Sequence, residues 1–460
     1  MTDAVHGYSY GPGMRTPSAL VAVLLLATPA AAAAADGGGA SLLVVSRTAL
    51  PAEPTTCAVG SPFVRGSEGS PAAVAVGRRV TALWQQDVTH GGDAEIGTGS
   101  ASLSNRLGGP CGAPSGGDAT LMPAVAKGPD NRIWTATAVN GAQVSRVLIS
   151  DGRHAPLVVD ERQGTTGAGT GFLPPGLAVD GTTVHVTYVA NTAPLLVRGL
   201  HRSYDTATRQ WSPVHPLTIG ATPAMYDFRE QLVALGKGRL LALSTEVDQP
   251  GLATLAPSYL QQRDLTQAPV VVRARVSGDA GATWGQPRVV LTLANGSVRD
   301  PAPGSDSANA LRSLVHPSVA VGPNGSVHVA AESVRPGGGT ELLVRSSGDG
   351  GVTWSAARSL VRPDLALHTS VAVDARNRVA LSWLDVDRTG SGLPATWRAA
   401  LLGSSMPTAL SKSFSLRALA PAYVGDQGAM VGLESGFGAV TVVGTGDPQD
   451  RTDVVLVRLR

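Results

Sequence analysis

Residues 346–354 read SSGDGGVTW, and residues 277–284 read SGDAGATW. The pattern Ser-x-Asp-x-Gly-x-Thr-Trp thus occurs twice, from Ser277 to Trp284 and from Ser347 to Trp354. A repeated pattern of this kind is either chemistry, two copies of a carboxylate beside a hydroxyl, or architecture, a turn the fold has to make more than once. Its surroundings decide. From residue 341 the chain runs ELLVRSS, then GDGGVTW, then SAARSLV, so the motif joins two strand-like segments. Asp and Ser side chains bond to turn backbone that a hairpin leaves unpaired. Gly281 and Gly351 admit positive φ, and Trp284 and Trp354 can cover an apolar sheet edge. Ser277, Asp279, Gly281, Thr283 and Trp284 in one copy, and Ser347, Asp349, Gly351, Thr353 and Trp354 in the other, therefore read as a turn. A degenerate third copy, SYDTATRQW, runs from Ser203 through Asp205 to Trp211.

Around these turns lies a longer repeat. PAAVAVGRRVTALW (71–84), PAVAKGPDNRIWTA (123–136) and PGLAVDGTTVHVTY (175–188) begin 52 residues apart, as do PSVAVGPNGSVHVA (317–330) and TSVAVDARNRVALSW (369–383). EQLVALGKGRLLALS (230–244) and the weaker AMVGLESGFGAVTVV (429–443) complete seven copies. Each is an apolar strand, a turn rich in Gly, Asp or Asn, and a second strand of alternating character, which is a β-hairpin signal. A period near 50 with two further strands per unit describes the four-stranded blades of a β-propeller. The expected fold is all-β, a seven-bladed propeller filling residues 36–460 as one domain. An insertion at 249–268 interrupts the fourth unit, and a second long loop spans 297–315. The last unit ends one strand short after DVVLVRLR, and SLLVVSRTAL (41–50) is expected to supply that strand and close the ring.

The Ser-x-Asp-x-Gly-x-Thr-Trp motif, placed within such units, resembles the Asp-box, or bacterial neuraminidase repeat, of the sialidase-like propellers. The resemblance covers essentially the whole chain after residue 36 as a repeat pattern. It implies a glycan-directed site and offers a six-bladed sialidase-type propeller as the alternative architecture. Family sialidases are similar to one another in an Arg-Ile-Pro element, three arginines that clamp a carboxylate, an aspartic acid and a tyrosine–glutamate pair. This chain has no Arg-Ile-Pro. Its nearest stretch is PFVRG, with Arg65. Arg229 is available for a clamp, and Tyr226, Tyr259 and Tyr423 are the tyrosines near the expected mouth.

In a four-stranded blade, the loops leading into the first strand and out of the second open on one face. Those loops carry Arg65, Tyr226, Arg229, His316, His368 and Asp87, expected to bind a polar ligand. They also carry Asp426, Glu332, Asp385 and Glu246, from which a pair for acid/base hydrolysis could be drawn. GDQG (425–428) would let backbone approach a ligand or a neighbouring blade. Three functional readings follow: a sialidase-like glycoside hydrolase, a non-catalytic propeller that binds carbohydrate or protein in the cell envelope, or a structural or cell-envelope protein whose Asp-boxes only hold the fold.

The bulk composition narrows the partners. A net charge of +2 gives no polyanion-binding signature, so nucleic acid is not expected; a glycan or cell-surface polymer is, with the protein a monomer. Leu20–Ala35 (LVAVLLLATPAAAAAA) follows Met14-Arg15 and ends in small residues, which describes a secretory signal peptide within residues 1–35, with Met14 a candidate initiator. The run is short for a retained anchor, so a secreted protein with no membrane span after signal removal is expected. Cys57 and Cys111 are the only cysteines. In an exported chain they read as a disulfide, with two free thiols as the alternative. No cofactor or metal motif is present: there is no GxxxxGK[ST], HExxH or GxSxG, and DARN (374–377) lacks calcium-loop spacing.

Overall fold

A computed structural model describes residues 42–49, 68–77, 79–86, 95–100, 119–140, 144–163, 171–193, 196–217, 225–248, 270–294, 297–299, 312–314, 317–335, 339–360, 363–389, 393–404, 406–416, 428–444 and 452–460. Among them there is no α-helix, and no helix long and apolar enough to cross a membrane. The strands form seven antiparallel sheets of three to five strands, plus a two-stranded hairpin of Ser297–Arg299 with Arg312–Leu314. That hairpin lies where the sequence predicts only a long loop. The expected insertion at 249–268 falls outside the described residues.

Each sheet begins at one of the seven repeated hairpins. Sheet 1 starts with Glu68–Val76, sheet 2 with Ala119–Lys127, sheet 3 with Gly176–Asp180 and sheet 4 with Met225–Gly236. Sheet 5 starts with Ser318–Val321, sheet 6 with Leu365–Val373 and sheet 7 with Gly428–Leu433. These seven first strands pack against one another in chain order, and the seventh returns to the first. The remaining strands of each sheet follow in order away from that ring. Second strands are consequently covered on both faces. Val327–Val334 and Val379–Val386 are buried almost throughout, polar His328, Glu332 and Ser382 included, so VHVAAESV and VALSWLDV show no strict alternation.

Sheet 7 draws on both ends of the chain. Its order runs from Gly428–Leu433 through Gly436–Gly444 and Thr452–Leu459 to Val44–Ala49 at the outer edge. The amides of Leu43 and Arg460 exchange bonds at 2.9 and 3.0 Å, continuing the ladder. The strand predicted to come from residues 41–50 is therefore in place.

The two full turn motifs connect the third and fourth strands of sheets 4 and 5 and share one bonding pattern. Ser347 Oγ donates to Asp349 Oδ1 (2.8 Å) and accepts from Gly351 N (2.7 Å), while Asp349 accepts Thr353 N (2.9 Å) and Thr353 Oγ1 (2.6 Å). Ser277, Asp279, Gly281 and Thr283 repeat this at 2.8, 2.9, 2.9 and 2.6 Å. The Thr283 hydroxyl and amide, with the Ser277 hydroxyl, pull the Asp279 carboxyl down to about 2. The glycine of each turn touches the preceding sheet. A Cβ on Gly351 (φ +91°) would lie 2.2 Å from Leu241 Cδ1, and one on Gly281 (φ +84°) 2.1 Å from the His201 ring. The turns are thus spacers between neighbouring sheets.

The third copy needs a correction. Ser203 donates its amide to Ser212 Oγ as Ser346 does to Ser355 Oγ, and Ser212 and Ser355 each follow the tryptophan. Ser203 therefore stands one position before the turn serine, where Tyr204 is found. Asp205 caps its own turn, accepting Ala207 N and Thr208 N at 2.7 and 3.1 Å. Register is set from the Trp211 end, and counting from the serine misplaces it by one. Arg202 and Arg345 hold equivalent places. Each bonds to the carbonyl after its own tryptophan and reaches the outer strand of the preceding sheet, at Val159 O (2.5 Å) and Val290 O (2.8 Å).

Candidate functional site

The seven first strands enclose one cavity of about 650 Å3. Its lining is small and largely uncharged because these strands are sheet edges that must converge. Ala72, Ala124 and Gly176 line the side of sheets 1 to 3, and Gln231, Ser318 and Ser370 that of sheets 4 to 6. The polar side is stitched across sheets. Gln231 Nε2 donates to Pro317 O, Ser318 Oγ accepts Val371 N at 3.1 Å, and Ser370 Oγ accepts Met430 N at 3.0 Å.

Of the predicted catalytic carboxylates, three are described, and each is engaged by partners of its own. Glu246 is 1% exposed. It accepts Ser244 Oγ at 2.8 Å, Arg275 at 3.0 Å and Arg273 Nε at 2.7 Å. Asp385 accepts Arg398 Nε at 2.5 Å. These two are the same feature used twice, since Arg273 stands opposite Ser244 and Arg398 opposite Trp383, each two residues before the carboxylate. Glu332 is fully buried and crosses from sheet 5 to sheet 6, accepting the amides of His368 (3.1 Å) and Thr369 (3.2 Å). Those amides are turned towards it by a bulge between Leu367 and Ser370, where His368 adopts φ +56°. Asn140 does the same work between sheets 2 and 3, exchanging bonds with Phe172 N and O at 2.8 Å each.

Glu246, Glu332 and Asp385 thus each hold neighbouring strands or sheets together. At the end of a second strand, a polar side chain sits where the next sheet or a third-strand arginine must be held. His368, expected to bind ligand, is 2% exposed. Tyr226 and Arg229 belong to Met225–Gly236, but their side chains are outside the description. Asp426, Arg65, His316, Asp87, Cys57 and Cys111 also lie outside the described residues. Next to Asp426, Gly428 packs on sheet 6, where an added Cβ would come within 2.5 Å of the Trp397 ring. Among the described residues, no group of three or more His, Cys, Asp or Glu could hold a metal ion.

Sequence reasoning missed a buried imidazole pair at the seam of sheets 3 and 4. His185 Nδ1 and His201 Nε2 are 3.3 Å apart with the rings stacked, and Trp284 meets His201 edge-on. Both rings are essentially unexposed. Burial lowers His185 to about 4, against the opposing pull of Asp180. Burial, with His185 and His215 adding to it, lowers His201 to about 3. The signal was present as VHV at 184–186 and LHR at 200–202, alternating positions that a two-faced sheet buries. Because both folded-state values lie below the unfolded value of about 6.5, the unfolded chain binds more protons in between. The stability these rings contribute is complete above pH 6.5 and is lost as pH falls towards 4 and then 3. By pH 5 the loss is about 2 kcal/mol for each ring. Urea midpoints from pH 8 to 5 should fall steeply in the wild type and clearly less in His201→Gln. Equal slopes would remove the pair from the acid response.

No protein-family model matches the chain, and no curated protein sequence matches it. Solved structures do. An alpha-L-arabinanase of Penicillium chrysogenum complexed with arabinobiose is 12% identical over 79% of this chain and 98% of its own, at a TM-score of 0.46. A sialidase of Trypanosoma rangeli in complex with sialic acid is 12% identical over 90% and 58%, at 0.40. An ulvan lyase, a polysaccharide lyase, is 8% identical over 87% and 94%, at 0.48. At such identities these are likenesses of fold alone.

Proposed function

We propose that the chain is a seven-bladed β-propeller of the sialidase-like, Asp-box kind, exported and monomeric, that binds carbohydrate at its central channel. The observation that carries this is the ring of seven first strands around a cavity of about 650 Å3. That volume is in the ordinary range for small-molecule sites, roughly 300–1,000 Å3. The identical bonding of the two turn motifs supports the Asp-box kinship, and the Leu20–Ala35 run with its small-residue end supports export.

Binding without hydrolysis is the favoured form. The two-carboxylate form of glycoside hydrolysis sets an acid/base and a second carboxylate about 5–9.5 Å apart, whereas the sialidase form uses a tyrosine nucleophile beside one carboxylic acid. Glu246, Glu332 and Asp385 instead spend oxygens on arginines and backbone amides. The test pairs an oligosaccharide array with a panel of fluorogenic glycosides that includes sialosides. Saturable binding without turnover is expected. Turnover that disappears in Asp426→Ala would replace this reading with glycoside hydrolysis, and neither binding nor turnover would end it.

A further inference from the structure

We infer, building on carbohydrate binding at the channel, that the bound sugar is a neutral one, without carboxylate, sulfate or phosphate, and that Thr369 on the side of sheets 4 to 6 bonds its hydroxyls. The starting point is an unspent group. Thr369 lines the cavity and is 2% exposed, yet its Oγ1 has no hydrogen-bond partner among the described residues. A buried hydroxyl left unpaired is costly, so such an atom on a lining residue gains from a ligand group that reaches it. Its own amide is committed to Glu332, which fixes the backbone that carries it.

The neighbours fit the same chemistry. Ser318 and Ser370 Oγ each accept one backbone amide, and a serine that accepts still has an O–H to donate. A sugar hydroxyl both donates and accepts, and this side of the cavity offers groups of both kinds. Val319, Val371 and Met430 are also lining residues, apolar positions suited to the C–H faces of a pyranose or furanose.

Charge argues against an acidic sugar. Among the described lining residues only Lys127 is charged. It is exposed and is the last residue of its strand, at the hairpin turn opposite Ile133. Thr369 instead belongs to the bulged early part of its strand. Arg273, Arg275 and Arg398, on the sheets that form this side, are paired to Glu246 and Asp385. On the Thr369 side, an anion would lose its water without gaining a counter-charge from the described lining residues.

The test is calorimetric titration of the full chain with length-matched oligosaccharides, neutral against sialylated or uronate-bearing, followed by Thr369→Val and Thr369→Ser. At least one neutral oligosaccharide is expected to bind about tenfold or more tightly than its acidic counterpart. Thr369→Val should weaken that binding about tenfold, and Thr369→Ser should keep it. Acidic oligosaccharides binding as tightly as neutral ones would overturn the neutral-sugar inference while leaving carbohydrate binding in place. An unchanged affinity in folded Thr369→Val would overturn the role of Thr369. The neutral-against-acidic comparison on the wild type holds even if that variant does not fold. Failure of every oligosaccharide to bind would sink the channel reading itself, and this inference with it.

Discussion

Deleting residues 42–49 is expected to destabilise the protein by on the order of 5 kcal/mol, a fall of roughly 10 °C in thermal midpoint. The segment pairs with the strand Thr452–Leu459, setting Ser46 opposite Arg458, Thr48 opposite Leu456 and Ala49 opposite Val455. It also carries Leu42, which is 3% exposed and belongs to the main core, and whose carbonyl accepts Thr408 Oγ1 of sheet 6 at 2.6 Å. Without it, sheet 7 loses its outer ladder, a core leucine and a link to the neighbouring sheet together. Differential scanning calorimetry of the truncated chain checks this. An unchanged midpoint would show that three strands suffice for the last sheet.

Gly432→Ala should be as damaging through a single methyl group. A Cβ there would lie 1.7 Å from Val373 O, 2.5 Å from Val373 C and 2.9 Å from Asp374 Cα. All three are backbone atoms, so no rotamer change relieves the clash, and sheets 6 and 7 must separate. Separation breaks the bond from Ala375 N to Leu433 O at 3.1 Å. It also disturbs Asp374, which is 1% exposed and caps its turn by accepting Arg376 N and Arg378 N at 2.9 Å each. The expected cost is about 4 kcal/mol or more, among the largest for a point substitution. Gly348→Ala is the control, because its Cβ would meet nothing within 4 Å. Urea denaturation should show a large shift for the first variant and almost none for the second.

What the sequence made legible was whatever is written locally. The Ser347–Trp354 turn satisfies itself within eight residues, so its bonds could be read from spacing alone. The hairpins announce themselves by strand–turn–strand pattern and a steady period. The fate of the carboxylates was not legible in the same way. Glu246 and Asp385 stand at the end of the second strand as expected, but their partners Arg273 and Arg398 come from a third strand whose register no local pattern fixes. Glu332 was further out of reach, since the amides it accepts belong to the next sheet and point towards it only because His368 takes a left-handed conformation. Thr369 was hidden for a related reason. An unspent hydroxyl is recognised only when every other bond around it has been counted.

The seventh sheet has a bearing on biogenesis. Val44 finds its cross-strand neighbour in Leu459, so a nascent polypeptide carries that early segment unmatched until the strand Thr452–Leu459 has been made. A product cut short before residue 452 would display two raw strand borders, open to pairing with other chains.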